Sequence, residues 1–286
     1  MYKTILKNSA VIVIAATLAL TSCKSKKDTV TPTLTSADDN GGYASDAAKL
    51  DQNSNDVISI ADVAGTSGGS NLRTTATTLG GCATVTNDTI STPHLLTIDF
   101  GTTACTCADG KTRSGKILVS YSGRYKDAGS THTITTSNYY VNGLKTMVHK
   151  TVTNEGMNTS SQYWYTVTVN DTIVLGVDSM ISWTGSRTRT WFAGYGTTDR
   201  SDDVYLIGGT TVLRRANGNV FTHAISSTNP LKVALACRWI ESGSETISST
   251  SFAGGDRVLD FSRGGGGCDA LATVTIGTHT YDITLH

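Results

Sequence analysis

From Cys82 to His286 the chain alternates apolar or β-branched residues with polar ones, in runs such as "GKILVSYSGRY", "THTITTSNYYV", "SQYWYTVTVN" and "DDVYLIGGTTVLRR". A period of two sends successive side chains to opposite faces, so each run reads as a strand with one covered and one wet side. About thirteen to fifteen such runs fit between Cys82 and His286. Asp109-Gly110, Asn142-Gly143 and Asn217-Gly218 are tight-hairpin dipeptides that join them. Consecutive hairpins build an antiparallel meander. The predicted fold is therefore all-β over 82–286, either a sandwich or an elongated, partly single-layer sheet, preceded by a short N-terminal helix.

The helix is expected from Ala44 to Ala64, with Ala44, Ala47, Leu50, Val57, Ile60, Ala61 and Ala64 toward the sheet. Residues 65–81 are rich in Gly, Ser and Thr and read as a linker, and 23–43 as a polar tether.

The pattern at the start of the chain is different. Two lysines lie within Met1–Lys7, and Ala10–Leu20 is apolar apart from Thr17. That is the charge and length of a secretory signal over 1–22, too short for the roughly twenty residues of a membrane span. Leu20-Thr21-Ser22-Cys23 resembles the bacterial lipobox, which implies that Cys23 becomes the first mature residue and carries acyl chains such as palmitate. Several chains at about 0.8 kcal/mol per buried methylene hold a protein stably on a bilayer. Lys24, Lys26 and Lys27 follow, with no aspartate directly after the cysteine. Resemblance to bacterial lipoproteins then implies the outer membrane, and the basic rather than acidic residues point to its periplasmic face over the cell surface.

Charge narrows the partners. The 23 basic and 23 acidic residues cancel, which leaves no electrostatic case for nucleic acid. Beyond Cys23, five cysteines enter an oxidising compartment, so at least one stays unpaired. Cys82 opens one strand and Cys105 follows the strand that runs back beside it; Cys237 and Cys268 are the two late cysteines. The expected bridges are Cys82–Cys105 and Cys237–Cys268. Cys237 is placed on a strand face of "KVALACRWI" with Val233, Leu235 and Trp239, and Cys268 at the start of the strand "CDALATVTI".

Two constellations carry candidate chemistry. "DQNSNDVISIAD" sets Asp51, Asn53, Asn55 and Asp62 at positions one, three, five and twelve of a Ca2+ loop, although Asp56 stands where the turn needs glycine. The alternative is that the same residues simply continue the helix; no other cofactor is expected. "SWTGSRTRTW" puts Trp183, Arg187, Arg189 and Trp191 on one strand face, as a platform for a glycan or as a ladder of arginine stems over aromatic rings. For hydrolysis, acids could be drawn from Glu155, Asp202, Asp203, Glu241 and Glu245, but no spacing selects a pair.

"TIDFGTTACTCADGKTRSGKI", "ACRWIESG" and "CDALATVTI", behind the lipobox, resemble a group of uncharacterised β-rich outer-membrane lipoproteins of the Bacteroidota. The resemblance spans most of the mature chain and implies an exported, lipid-anchored protein; it brings no activity or catalytic residue. The expectation is a non-enzymatic binding or structural module whose partners are the membrane, through the anchor, and a glycan or another envelope protein. An envelope glycoside hydrolase is the alternative.

Overall fold

A computed structural model describes residues 39–66, 81–177, 179–252 and 254–285. The signal segment, Cys23, most of the tether and the linker over 67–80 lie outside these residues.

Helix α1 (Asp39–Thr66) is followed by sixteen strands of one sheet. In the first half these are β1 (Thr84–Asp88), β2 (His94–Asp99), β3 (Cys105–Thr106), β4 (Thr112–Tyr121), β5 (Thr131–Val141), β6 (Leu144–Met147), β7 (His149–Met157) and β8 (Tyr163–Gly176). In the second half come β9 (Ser179–Ala193), β10 (Val204–Arg215), β11 (Val220–Ile225), β12 (Leu231–Ala234), β13 (Ser244–Ser248), β14 (Arg257–Asp260), β15 (Leu271–Ile276) and β16 (His279–Thr284). The spatial order is β1-β2-β4-β5-β6-β8-β9-β10-β11-β13-β14-β15-β16, with β3 on β4, β7 between β5 and β8, and β12 on β10. Every ladder among the described residues is antiparallel. The meander is thus a single sheet rather than a sandwich.

What covers the sheet's apolar face is α1. Along β9, Ile181, Trp183, Arg187, Arg189 and Trp191 are buried while their neighbours Thr184, Ser186, Thr188 and Phe192 are exposed, so one face is wet and the other meets the helix. The helix is buried over most of its circumference: Tyr43, Ala47, Leu50, Gln52, Ser54, Val57, Ile58 and Val63 are all below a tenth exposed, and one stripe, Lys49, Asn53, Asp56 and Ser59, is half-buried. It touches β2, β4 and β5 as well as β13 and β14, strands from opposite ends of the sheet order. Only a sheet curled around the helix makes both sets of contacts.

Glycines make that curvature possible in the longest strands. Gly185 of β9 and Gly209 of β10 have φ of +149° and +108°, and a Cβ on either would come within 2.7 Å of the facing strand's backbone, at Thr210 O and Ser186 O. Lacking side chains, these positions let β9 and β10 bend toward the helix. The register shifts within the β4–β5, β7–β8, β8–β9 and β9–β10 ladders add local twist.

The helix expected over 44–64 is present, within the longer span Asp39–Thr66. The strand expected over "KVALACRWI" ends at Ala234; Cys237 lies in a turn whose amide donates to the carbonyl of Ala234 at 3.0 Å. Cys268 likewise sits in a loop before β15.

Candidate functional site

The helix offers the sheet four aspartates, Asp46, Asp51, Asp56 and Asp62, and each meets an arginine. Asp46 pairs with Arg215 of β10, Asp51 with Arg187 of β9 at 3.2 Å, Asp56 with Arg113 of β4 at 2.7 Å, and Asp62 with Arg200. At about 100° per residue, a step of five turns a side chain by about 140° around the axis. Asp46, Asp51 and Asp56 therefore point in three directions, and partners in all three require strands around the helix. Asp51 and Asp62 fall on nearly the same side, and β9 answers them with Arg187 and Arg189, two residues apart; the Arg189–Asp62 distance is 3.8 Å.

Aromatic rings fill the space between these pairs. Arg187 and Lys150 lie 5.0 and 5.1 Å from the Trp183 ring, and Arg189 lies 3.6 Å from Tyr205. Lys150 pairs with Asp171 and donates to Ser54 of the helix at 2.7 Å. Tyr205 donates to Asp62 at 2.7 Å and the Trp191 indole to Asp203 at 2.9 Å.

Beside Arg187, Asp51, His223 of β11 and Glu245 of β13 converge, with ligand-capable atoms within 4.8 Å of one another and all three residues buried. Two carboxylates and an imidazole are a plausible donor set for a divalent cation. The protonation pattern argues against it. Arg187 lies 2.8 Å from His223 Nδ1, and since a guanidinium only donates, Nδ1 must accept. Burial depresses the imidazole to about 4, so the ring is neutral and its proton is on Nε2, which faces Glu245 at 2.7 Å. The nitrogen a metal would need carries hydrogen. Burial also raises both carboxyls, Asp51 to about 8, with Glu245 accepting its proton. Arg187, His223, Glu245 and protonated Asp51 thus form one buried polar cluster.

Space for a ligand lies elsewhere. A cavity of about 580 Å³ opens between α1 and two loops, the β3–β4 turn and the segment after β12. That is within the range of small-molecule sites, roughly 300–1,000 Å³. Its floor is one stripe of the helix, Gln52, Asn55, Asp56, Ser59, Ile60 and Val63, at helical spacing. One lip is Ala108 to Lys111; the other runs from Val233 to Ile240. Both lips are stapled. The Cys82–Cys105 bond anchors the chain just before the first, and Cys237–Cys268, itself lining the cavity, anchors the second. Both bridges pair as expected, the second between a turn and a loop rather than between strands. Cys107 is free and buried, and burial pushes its thiol up against the opposing pull of Arg113.

The sequence-derived candidates map as follows. Asp51, Asn53, Asn55 and Asp62 stand on one continuous helix, where eleven residues separate Asp51 from Asp62 by about 16 Å. They do not form a Ca2+ loop, and Asp51 and Asp62 face arginines instead. Trp183, Arg187, Arg189 and Trp191 do share a face, but each is at most 4 % exposed beneath the helix, so they form a buried ladder and not an accessible glycan platform. Among the carboxylates, Asp203 and Glu245 are buried and Glu155 is exposed, and they do not gather at one opening. The cavity lining, above all Lys111, Arg113, Arg238 and Trp239, was missed; the signal that could have found it was the placement of the two expected disulfides.

Comparison with protein-family models, with curated proteins and with solved structures gave no match for this chain.

Proposed function

We propose that this is a lipid-anchored protein of the cell envelope, held at Cys23 on the periplasmic face of the outer membrane, and that it binds a small ligand without turning it over. The observation that carries the binding reading is the cavity whose two lips are each fixed by a disulfide. A site built from loops must be held in shape before the ligand arrives, because ordering it on binding would subtract from affinity. Two covalent staples at one opening achieve that. The non-enzymatic reading is supported by the placement of the strongly perturbed acids: Asp51 and Glu245 are sealed among β9, β11 and β13, whereas the cavity's acids, Asp56 and Asp109, are both held by Arg113.

The anchor and the binding are tested separately. Mass spectrometry of the mature amino terminus should find acylated Cys23, and Cys23→Ala should release the protein from membranes. Native mass spectrometry of protein extracted from envelopes should find a small bound species that is absent from Ser59→Trp, a substitution that fills the cavity from the helix side. Identical spectra for the two proteins would reject the binding reading.

A further inference from the structure

We infer that the cavity takes a monoanion with an apolar body, a carboxylate on an acyl chain, with Arg238 gripping the head. The inference rests on reading the cavity as a binding site and adds the chemical class of what enters it.

Five charged side chains line the space: Asp56, Asp109, Lys111, Arg113 and Arg238. Four of them satisfy one another. Arg113 reaches Asp56 at 2.7 Å and Asp109 at 2.6 Å, and Lys111 stands 3.3 Å from Asp56. Two cations and two anions cancel, and Arg238 is left over, with no carboxylate at ion-pair distance among the described residues. Its guanidinium lies 4.2 Å from the centre of the Trp239 ring. From there it crosses the opening to the opposite lip, where a Cβ on Gly110 would stand 3.2 Å from its Nη1. A planar fork held over an aromatic face at the mouth of a pocket is suited to a carboxylate, which it can bind bidentately. Arg238 is exposed at the opening, so its charge can meet one anion that enters from solvent.

Ile60, Val63, Val233, Leu235 and Ile240 supply aliphatic surface. Of the uncharged polar side chains, the Gln52 amide already donates to the Arg238 carbonyl at 3.0 Å, which leaves Asn55 and Ser59 beside charged groups already engaged with one another. A sugar would bury more hydroxyls than these can satisfy, each unpaired one costing about 1–3 kcal/mol. A hydrocarbon chain has no such requirement.

The test is calorimetric titration of the full chain with decanoate, decanol and decylamine. Decanoate should bind at least about tenfold more tightly than decanol, the worth of one charge-assisted hydrogen-bonded contact, and decylamine should bind weakest. Arg238→Glu should reverse the order of the two charged ligands, and Ser59→Trp should remove binding of all three, with circular dichroism confirming that both variants fold. Equal affinity for decanoate and decanol, or an Arg238→Ala variant that keeps the decanoate affinity, would overturn the anion assignment while leaving the cavity as a site for neutral ligands. Failure of all three ligands to bind the wild-type protein would overturn the assignment too. In that case, a bound species in the envelope extract that Ser59→Trp removes would still uphold the cavity reading.

Discussion

Arg187 of β9 stands 2.8 Å from Nδ1 of His223 on β11, and this contact sets the proton on the far side of the ring, toward Glu245. The same guanidinium reaches Asp51 of the helix at 3.2 Å, so one side chain joins α1 to two strands that are neighbours of the same β10. Removing it would strand three titratable groups in the buried interior. We expect Arg187→Ala to destabilise the fold by about 3–5 kcal/mol, the cost of leaving a buried charge unpaired, measured by urea unfolding.

Asp51 behaves oppositely. Burial raises its carboxyl to about 8, so near neutral pH it is already protonated, and Asp51→Asn preserves both its charge and its shape. A group whose folded pKa lies above its unfolded value binds more protons in the native state, and its contribution to stability is lost as pH rises from about 4 through about 8. His223, depressed to about 4, has the opposite sign and loses its contribution as pH falls below about 6.5. Melting of wild type and Asp51→Asn should therefore agree most closely near pH 4 and diverge progressively up to about pH 8, with the wild type the less stable. Parallel curves would show that Asp51 is ionised in the folded protein.

The tautomer has a metal-binding consequence. Zinc should leave the melting temperature of the wild type unchanged, because His223 Nε2 is protonated. In Arg187→Met the constraint on Nδ1 is gone, the ring can present Nε2 as a lone pair, and Asp51, His223 and Glu245 become available as ligands. Refolding that variant with zinc should raise its melting temperature. A zinc-induced rise in the wild type would contradict the assigned proton.

The sheet was legible because its face is half wet: the alternation in β8, β9 and β10 is preserved residue by residue in their burial. The first disulfide was legible for the same reason, since strand pairing brings Cys82 back beside Cys105; the second was legible because Cys237 and Cys268 are the two late cysteines. The wrapping was not. A helix packed on a flat sheet needs one apolar stripe, and the seven positions named for that stripe, Ala44 to Ala64, are indeed buried. Gln52, Ser54, Asn55 and Asp62 are buried as well, and no helical period marks them. Their signal is electrostatic: aspartates five or six apart on the helix, matched by Arg113, Arg187 and Arg215 on strands and by Arg200 in the short turn before β10. That complementarity becomes visible only when strands far apart in sequence are set around one axis. The cavity was hidden for a related reason, since its lips come from the β3–β4 turn and the segment after β12.

The disulfides should contribute comparably. They close loops with sequence separations of 23 and 31 residues, and chain entropy assigns each about 3.5 kcal/mol. Replacing both cysteines of either pair with alanine should lower the melting temperature by about 10 °C in a domain of this size. The Cys237–Cys268 variant should in addition bind ligand more weakly, because that bridge lines the cavity itself, whereas Cys82–Cys105 lies one turn behind. Non-reducing peptide maps would check the pairing, and Cys107, being buried, should resist alkylation until the chain is unfolded.

The aromatic residues of β9 give the sharpest separation of structure from binding. Trp191 is fully buried, stacked near Tyr205 with ring centres 5.5 Å apart and hydrogen-bonded to Asp203; Trp183 lies under Lys150 and Arg187. Neither lines the open cavity. Trp191→Ala should cost about 3–5 kcal/mol through the void it leaves, and more than Trp239→Ala, whose ring is only partly buried at the lip. In ligand titrations the order should invert: Trp239→Ala weakens binding by removing the support under Arg238, while Trp183→Phe, which keeps a ring in place, leaves affinity unchanged. A glycan platform on β9 would reverse both results, with Trp183→Phe losing ligand and Trp239→Ala retaining it. Measuring urea stability and affinity on the same three proteins therefore decides between the ladder and the platform.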